Sequence, residues 1–185
     1  MNLPNKITVL RFVLTGVALV LLYLPGFEAK AGALAFFVLA ALSDQLDGYI
    51  ARTRNLETFF GKIFDQTADK VLVNLFWLAF LDLRLLPFWL VALNLFREIV
   101  VVSVRGAVAE KGVIMKSEKS GKYKAALQML VIFAGLSLVV LTYPGSLPQY
   151  ASDTLLWLGV ATVAVSYWAL IDFFVKNKDA IFADA

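Results

Sequence analysis

Asp44, Asp47, Asp65 and Asp69 crowd into one short stretch of an otherwise apolar chain, in the pattern D-x2-D-G-x2-A-R-x8-G-x3-D-x3-D. A carboxylate inside an apolar helix costs several kcal/mol when it has no partner, so four together require positive charge between them. Carboxylate oxygens are hard ligands, and a pair of divalent cations held by them is an arrangement that moves phosphoryl groups. The spacing favours convergence. Asp44 and Asp47 are three apart, with Gly48 and Ala51 following at three- and four-residue steps, so on a helix they share a face. Asp65 and Asp69 are four apart on the next segment, with Gly61 one turn earlier.

The elements that must hold these residues are apolar helices. Of the 185 residues 61% are hydrophobic, and the mean hydropathy is +0.78, far above the usual soluble range. Apolar runs near the length that crosses a bilayer recur, and six spans are predicted at 8–24, 31–53, 61–81, 87–108, 122–143 and 153–175. Pro25-Gly26, Pro87 and Pro144-Gly145 punctuate the connections on one side. Basic residues gather on the other: Lys6 and Arg11, then Arg52, Arg54 and Lys62, then Arg105 and Lys111 to Lys124, then Lys176 and Lys178. The positive-inside rule places that side, and both termini, in the cytoplasm. The second and third spans then run antiparallel, with all four aspartates within two or three turns of their cytoplasmic ends. The expected fold is an all-α integral membrane protein of six transmembrane helices, with residues 1–185 forming one domain. A short N-terminal interfacial segment precedes the first span, where Lys6 and Arg11 suit a helix lying at the headgroups.

Composition excludes several chemistries. With no cysteine there is no thiolate catalysis or cysteine metal site, and with no histidine a general base must be Asp, Glu, Lys or Tyr. Asn2-Leu3-Pro4-Asn5 leads straight into apolar sequence without a signal-peptide cleavage pattern. No nucleic-acid partner is expected.

Each motif residue has a structural alternative. Gly48, Ala51 and Gly61 let helices approach closely, or leave room for a nucleotide beside the metals. Arg52 anchors a helix end at the cytoplasmic side, or clamps a phosphate with its planar fork. For the aspartates the structural alternative is pairing with Lys62, Lys70 or Arg52, but four acids at two regular spacings exceed what pairing requires. A cation transporter with an acidic ion pathway is a remote alternative, since the later spans carry no second copy of the acidic hairpin.

The motif resembles the signature of the CDP-alcohol phosphotransferases, membrane enzymes of phospholipid synthesis, and every fixed position is present: Asp44, Asp47, Gly48, Ala51, Arg52, Gly61, Asp65 and Asp69. The resemblance implies two Mg²⁺ or Mn²⁺ ions held by Asp44, Asp47, Asp65 and Asp69, with Asp69 as general base. It implies a CDP-linked lipid bound by Asp47, Gly48, Arg52, Thr58 and Gly61, with Asn5 and Thr8 closing over the nucleotide. It also implies a homodimer in the bacterial inner membrane, with the active site facing the cytoplasm. An aspartate is a weak base at its reference pKa of about 3.9, so its contribution would be to accept the proton as the new bond to phosphorus forms.

The acceptor must be read from the second half. Arg97 and Glu98 lie well inside the fourth span, and Arg97 and Arg105, eight apart, fall within about 80° on a helix. Such cations suit an anionic acceptor. The structural alternative is that Arg97 pairs with Glu98 or a neighbouring acid while the loop lysines only set topology. The stretch R-E-x6-R, then S-x3-G-K-x-K and Gln128, with the opening L-P-N-K-I-T-V-L-R, resembles the branch of the family that makes phosphatidylglycerophosphate. That branch implies CDP-diacylglycerol and glycerol 3-phosphate as substrates. Arg97, Arg105 and Lys122 would hold the acceptor phosphate, with Lys119 and Lys124 behind them. Phe64-Asp65-Gln66 stands where that branch commonly has Leu-Asp-Pro, and Ala125 where a Thr often follows. Neither touches the metal chemistry, and both leave room for inositol phosphate, serine or phosphatidylglycerol as acceptor.

Overall fold

The computed structural model describes residues 3–53, 59–110 and 119–181. Six long helices follow one another: α1 (Leu3–Tyr23), α2 (Phe27–Thr53), α3 (Phe59–Asp82), α4 (Phe88–Glu110), α5 (Lys119–Thr142) and α6 (Gln149–Lys176). A single short turn of helix, α7 (Lys178–Ile181), comes next. No strand occurs among the described residues. The long helices fall on the six predicted apolar segments and lengthen several of them. Two, Ser120–Thr142 and Gln149–Lys176, are long and apolar enough to cross a membrane by length and composition.

α1 begins at Leu3, so the N-terminal stretch and the first apolar segment form one continuous helix. Pro4 sits in its first turn, where a fixed φ favours the helix and the missing N–H would have had no intrahelical acceptor.

Short turns join α1 to α2, α3 to α4 and α5 to α6. Between α1 and α2, Gly26 adopts φ 108°, a conformation that side chains rarely reach, and its N–H donates to Tyr143 Oη at 2.8 Å. The Lys30 ammonium reaches back to the Leu22 carbonyl and caps the end of α1.

The chain divides into two compact units, Met1–Phe80 with Ile132–Ala151, and Leu81–Val131 with Ser152–Ala185. In the first unit α1 packs on α2. Its core holds Leu22, Phe37, Leu72, Phe76, Trp77 and Phe80, and Phe37 meets Phe76 edge-on at 5.2 Å. The second has Leu86, Leu90, Val91, Leu155 and Phe173 at its centre, with Gly159 against Leu90. Outward-facing positions are apolar too. Phe88, Phe96, Ile99, Leu141, Trp157 and Ile171 are all more than half exposed. Helices apolar all round, with large aliphatic and aromatic side chains turned outward, belong in lipid.

Gly135 shows how closely the first unit is packed. A Cβ there would strike the Cε2 and Cζ atoms of the fully buried Phe80 ring. Gly135→Ala should lower stability by about 1–3 kcal/mol, the usual cost of overpacking. Thermal unfolding in detergent measures the loss, and adding Phe80→Leu should recover part of it.

Candidate functional site

The acidic set is carried by α2 and α3. Asp65 and Asp69 lie in the N-terminal half of α3, one turn apart, both half-buried. Gly61, one turn earlier, is half-buried as well. Asp44, Asp47, Gly48 and Arg52 belong to α2, but their side chains lie outside the described residues, as do that of Asn5 on α1 and the whole of Thr58. Among the described residues no three acidic side chains come together.

α1 meets α3 beside the first of these acids. Arg11 Nη1 donates to Asp65 Oδ1 at 2.8 Å, and the rings of Phe12 and Phe64, next along each helix, lie 5.1 Å apart. The Arg11 side chain is 1% exposed and that of Asp65 is 42% exposed. This corrects the reading of Arg11 as a headgroup residue. Because α1 is continuous from Leu3, position 11 stands about 12 Å along the helix at 1.5 Å per residue, inside the packed unit. Thr8 and Thr15 are buried on the same face, and the Thr15 hydroxyl donates to the Arg11 carbonyl at 2.8 Å. The sequence carried this signal. Thr8, Arg11 and Thr15 recur at helical spacing, and a lone charge among I-T-V-L and F-V-L demands a partner. Of the partners expected for the acids, Lys62 and Arg52 lie outside the described side chains, and Asp65 instead meets Arg11 of α1.

The second unit holds a polar seam. On α5, Ser120, Lys124 and Gln128 are buried at successive four-residue steps. The Lys124 ammonium bonds Glu98 Oε1 on α4, the Gln128 amide donates to Asn94 Oδ1 at 2.6 Å, and the Ser120 hydroxyl donates to Asp172 Oδ2 at 2.8 Å. Asp172 also pairs with Lys176 at 2.6 Å, as their four-residue spacing suggests. Arg97 is buried in the same seam, with Nη1 donating to Glu98 Oε1 at 3.2 Å and Nε to the Ser166 carbonyl at 3.1 Å. Glu98 thus accepts from two cations, and the contact with Lys124, 26 residues away, was not legible in the sequence. Arg105 is exposed, its guanidinium carbon 5.3 Å from the centre of the Phe173 ring, a cation–π contact. Arg97 and Arg105 therefore share the face of α4 that meets α6. Lys122 is exposed, and the Lys119 side chain lies outside the described residues.

The profile of the family described as CDP-alcohol phosphatidyltransferase matches residues 1–171. The chain belongs to the CDP-alcohol phosphatidyltransferase family. Among its relatives, the CDP-diacylglycerol–glycerol-3-phosphate 3-phosphatidyltransferase of Bacillus subtilis is 33% identical over 97% of this chain and 97% of its own. The proteins of the same name from Rickettsia typhi and Wigglesworthia glossinidia brevipalpis are 34% and 30% identical. They are aligned over 90% and 91% of this chain, and over 93% and 96% of their own.

The described half of the acidic set suits the divalent cations of such an enzyme. Asp65 and Asp69 are hard oxygen donors on one face of a regular helix, and Arg11 occupies only one oxygen of Asp65. The helix keeps the two carboxylates in a fixed spacing, which a loop would not.

The seam around Glu98 yields a direct test. Removing one member of a buried ion pair leaves the others uncompensated, at a cost of about 3–5 kcal/mol. Glu98→Gln should therefore destabilise the protein strongly, because Arg97 and Lys124 both lose their counter-charge. Unfolding in detergent reads the loss, and Lys122→Gln, at an exposed position, should change it far less.

Proposed function

We propose that this protein transfers the phosphatidyl group of CDP-diacylglycerol to sn-glycerol 3-phosphate, giving phosphatidylglycerophosphate and CMP. One observation carries the reading. The full acidic signature of the family lies in a chain that aligns over nearly its whole length with relatives named for this reaction.

In the reaction, an acceptor hydroxyl oxygen attacks the lipid-side phosphorus of the pyrophosphate. The bond from that phosphorus to the bridging oxygen breaks, and CMP leaves with the electron pair. Asp69 accepts the hydroxyl proton as the new bond forms. Asp44, Asp47, Asp65 and Asp69 hold two divalent cations, Mg²⁺ or Mn²⁺, which when bound neutralise the pyrophosphate oxygens and the charge developing on CMP. Asp47, Gly48, Arg52, Thr58 and Gly61 accommodate the CDP moiety, with Asn5 and Thr8 of the N-terminal stretch closing over it. Arg97, Arg105 and Lys122 hold the phosphate of the acceptor, with Lys119 and Lys124 adding positive charge. Arg105 and Lys122 are exposed and available to an anion, whereas Arg97 and Lys124 share Glu98 in the buried seam. Buried Asn94 Nδ2 and Ser166 Oγ, which lack hydrogen-bond partners among the described residues, suit a polar ligand there.

The same reading treats residues 1–185 as one catalytic domain spanning a bacterial inner membrane six times through α1 to α6. The termini and active site face the cytoplasm, and the enzyme works as a homodimer. Support comes from the basic residues on alternate connections and from exposed Tyr23, Trp89 and Tyr150 at the opposite helix ends, where amphipathic rings mark a membrane boundary.

In liposomes with CDP-diacylglycerol and Mg²⁺, CMP should be released with glycerol 3-phosphate and cease in excess chelator. Release with inositol phosphate, serine or phosphatidylglycerol instead would overturn the acceptor assignment, and release undiminished by chelator would overturn the metal scheme. Asp69→Asn should reduce turnover by a factor of about 100 or more while leaving the unfolding transition intact. A variant turning over at the normal rate would remove Asp69 as the base.

A further inference from the structure

The Arg11–Asp65 pair is asymmetric. Its cation is 1% exposed and its carboxylate is 42% exposed, at a separation of 2.8 Å. Had the pair served only to neutralise a buried arginine, sealing both partners from solvent would have been the economical arrangement. Here the guanidinium is the fixed end and the carboxylate is the end presented outward. The adjacent contact of Phe12 with Phe64, 5.1 Å between ring centres, holds α1 and α3 in the register that the pair requires. A guanidinium is planar and donates along set directions, so it fixes the orientation of the carboxylate as well as its charge.

We propose that Arg11 is a positioning residue for the metal site. It holds Oδ1 of Asp65 so that the other carboxylate oxygen is turned toward a divalent cation. The inference rests on the metal-dependent reading above. Two effects oppose each other: orientation of the ligand raises cation affinity, while the nearby positive charge lowers it. Hydrogen-bonded partners of metal ligands typically contribute about 10–100-fold to affinity or activity, so orientation wins.

The test is Mn²⁺ binding to the purified full-length protein in detergent, without substrate, followed by the loss of the free-ion electron paramagnetic resonance signal. Arg11→Ala should weaken Mn²⁺ binding about 10–100-fold. Arg11→Lys, which returns the charge without the planar fork, should recover part of it. In an Asp65→Asn background, Arg11→Ala should shift the affinity no further. If both Arg11 variants bind Mn²⁺ as the parent does and only their unfolding temperature falls, Arg11 is structural and the inference is overturned. Should the alanine variant not fold, parental affinity in Arg11→Lys overturns it equally. A parent protein that binds no Mn²⁺ would instead bring down the metal-dependent reading itself.

Discussion

A charge carried into an apolar helix bundle has to meet an opposite charge or a hydrogen-bonding group there, because neither lipid nor a packed core will solvate it. Most of the distinctive structure in this chain follows from that constraint. In the first unit the buried Arg11 finds Asp65. In the second, one carboxylate, Glu98, serves both Arg97 and Lys124, and a backbone carbonyl at Ser166 takes a further guanidinium N–H.

The same constraint explains why the acids of the signature sit on helices. A helix satisfies its own backbone, so only the side chains need partners inside a membrane. It also holds residues three and four apart on one face. Asp65 and Asp69 inherit their spacing from α3 without help from the rest of the chain. Small residues complete the arrangement by admitting close contacts, as Gly135 does against Phe80 and Gly159 against Leu90.

Polar side chains inside the second unit form a ladder. Ser120, Lys124 and Gln128 occupy successive turns of α5 and reach Asp172, Glu98 and Asn94 respectively. Each rung fixes a rotation of α5 about its own axis, since turning the helix would carry all three groups into apolar surroundings. Apolar packing is tolerant of such rotation, so in a chain this hydrophobic the polar rungs supply much of the specificity.

The amino-acid sequence by itself determined the helices, their order and the face each presents. Long apolar runs leave few alternatives, Pro and Gly mark where they stop, and spacing of three or four residues places Asp65 with Asp69, or Asp172 with Lys176. It also carried the family signature whole. What spacing cannot state is which face of one helix meets which face of another. Arg11 and Asp65 are separated by 54 positions, Glu98 and Lys124 by 26, and Arg97 reaches Ser166 across 69. Arg11 read as a headgroup anchor for that reason, and nothing in the spacing joined Lys124 to Glu98. Only the tertiary packing decided their partners, because a buried charge selects its neighbour through the whole arrangement of the surrounding helices and not through its own segment.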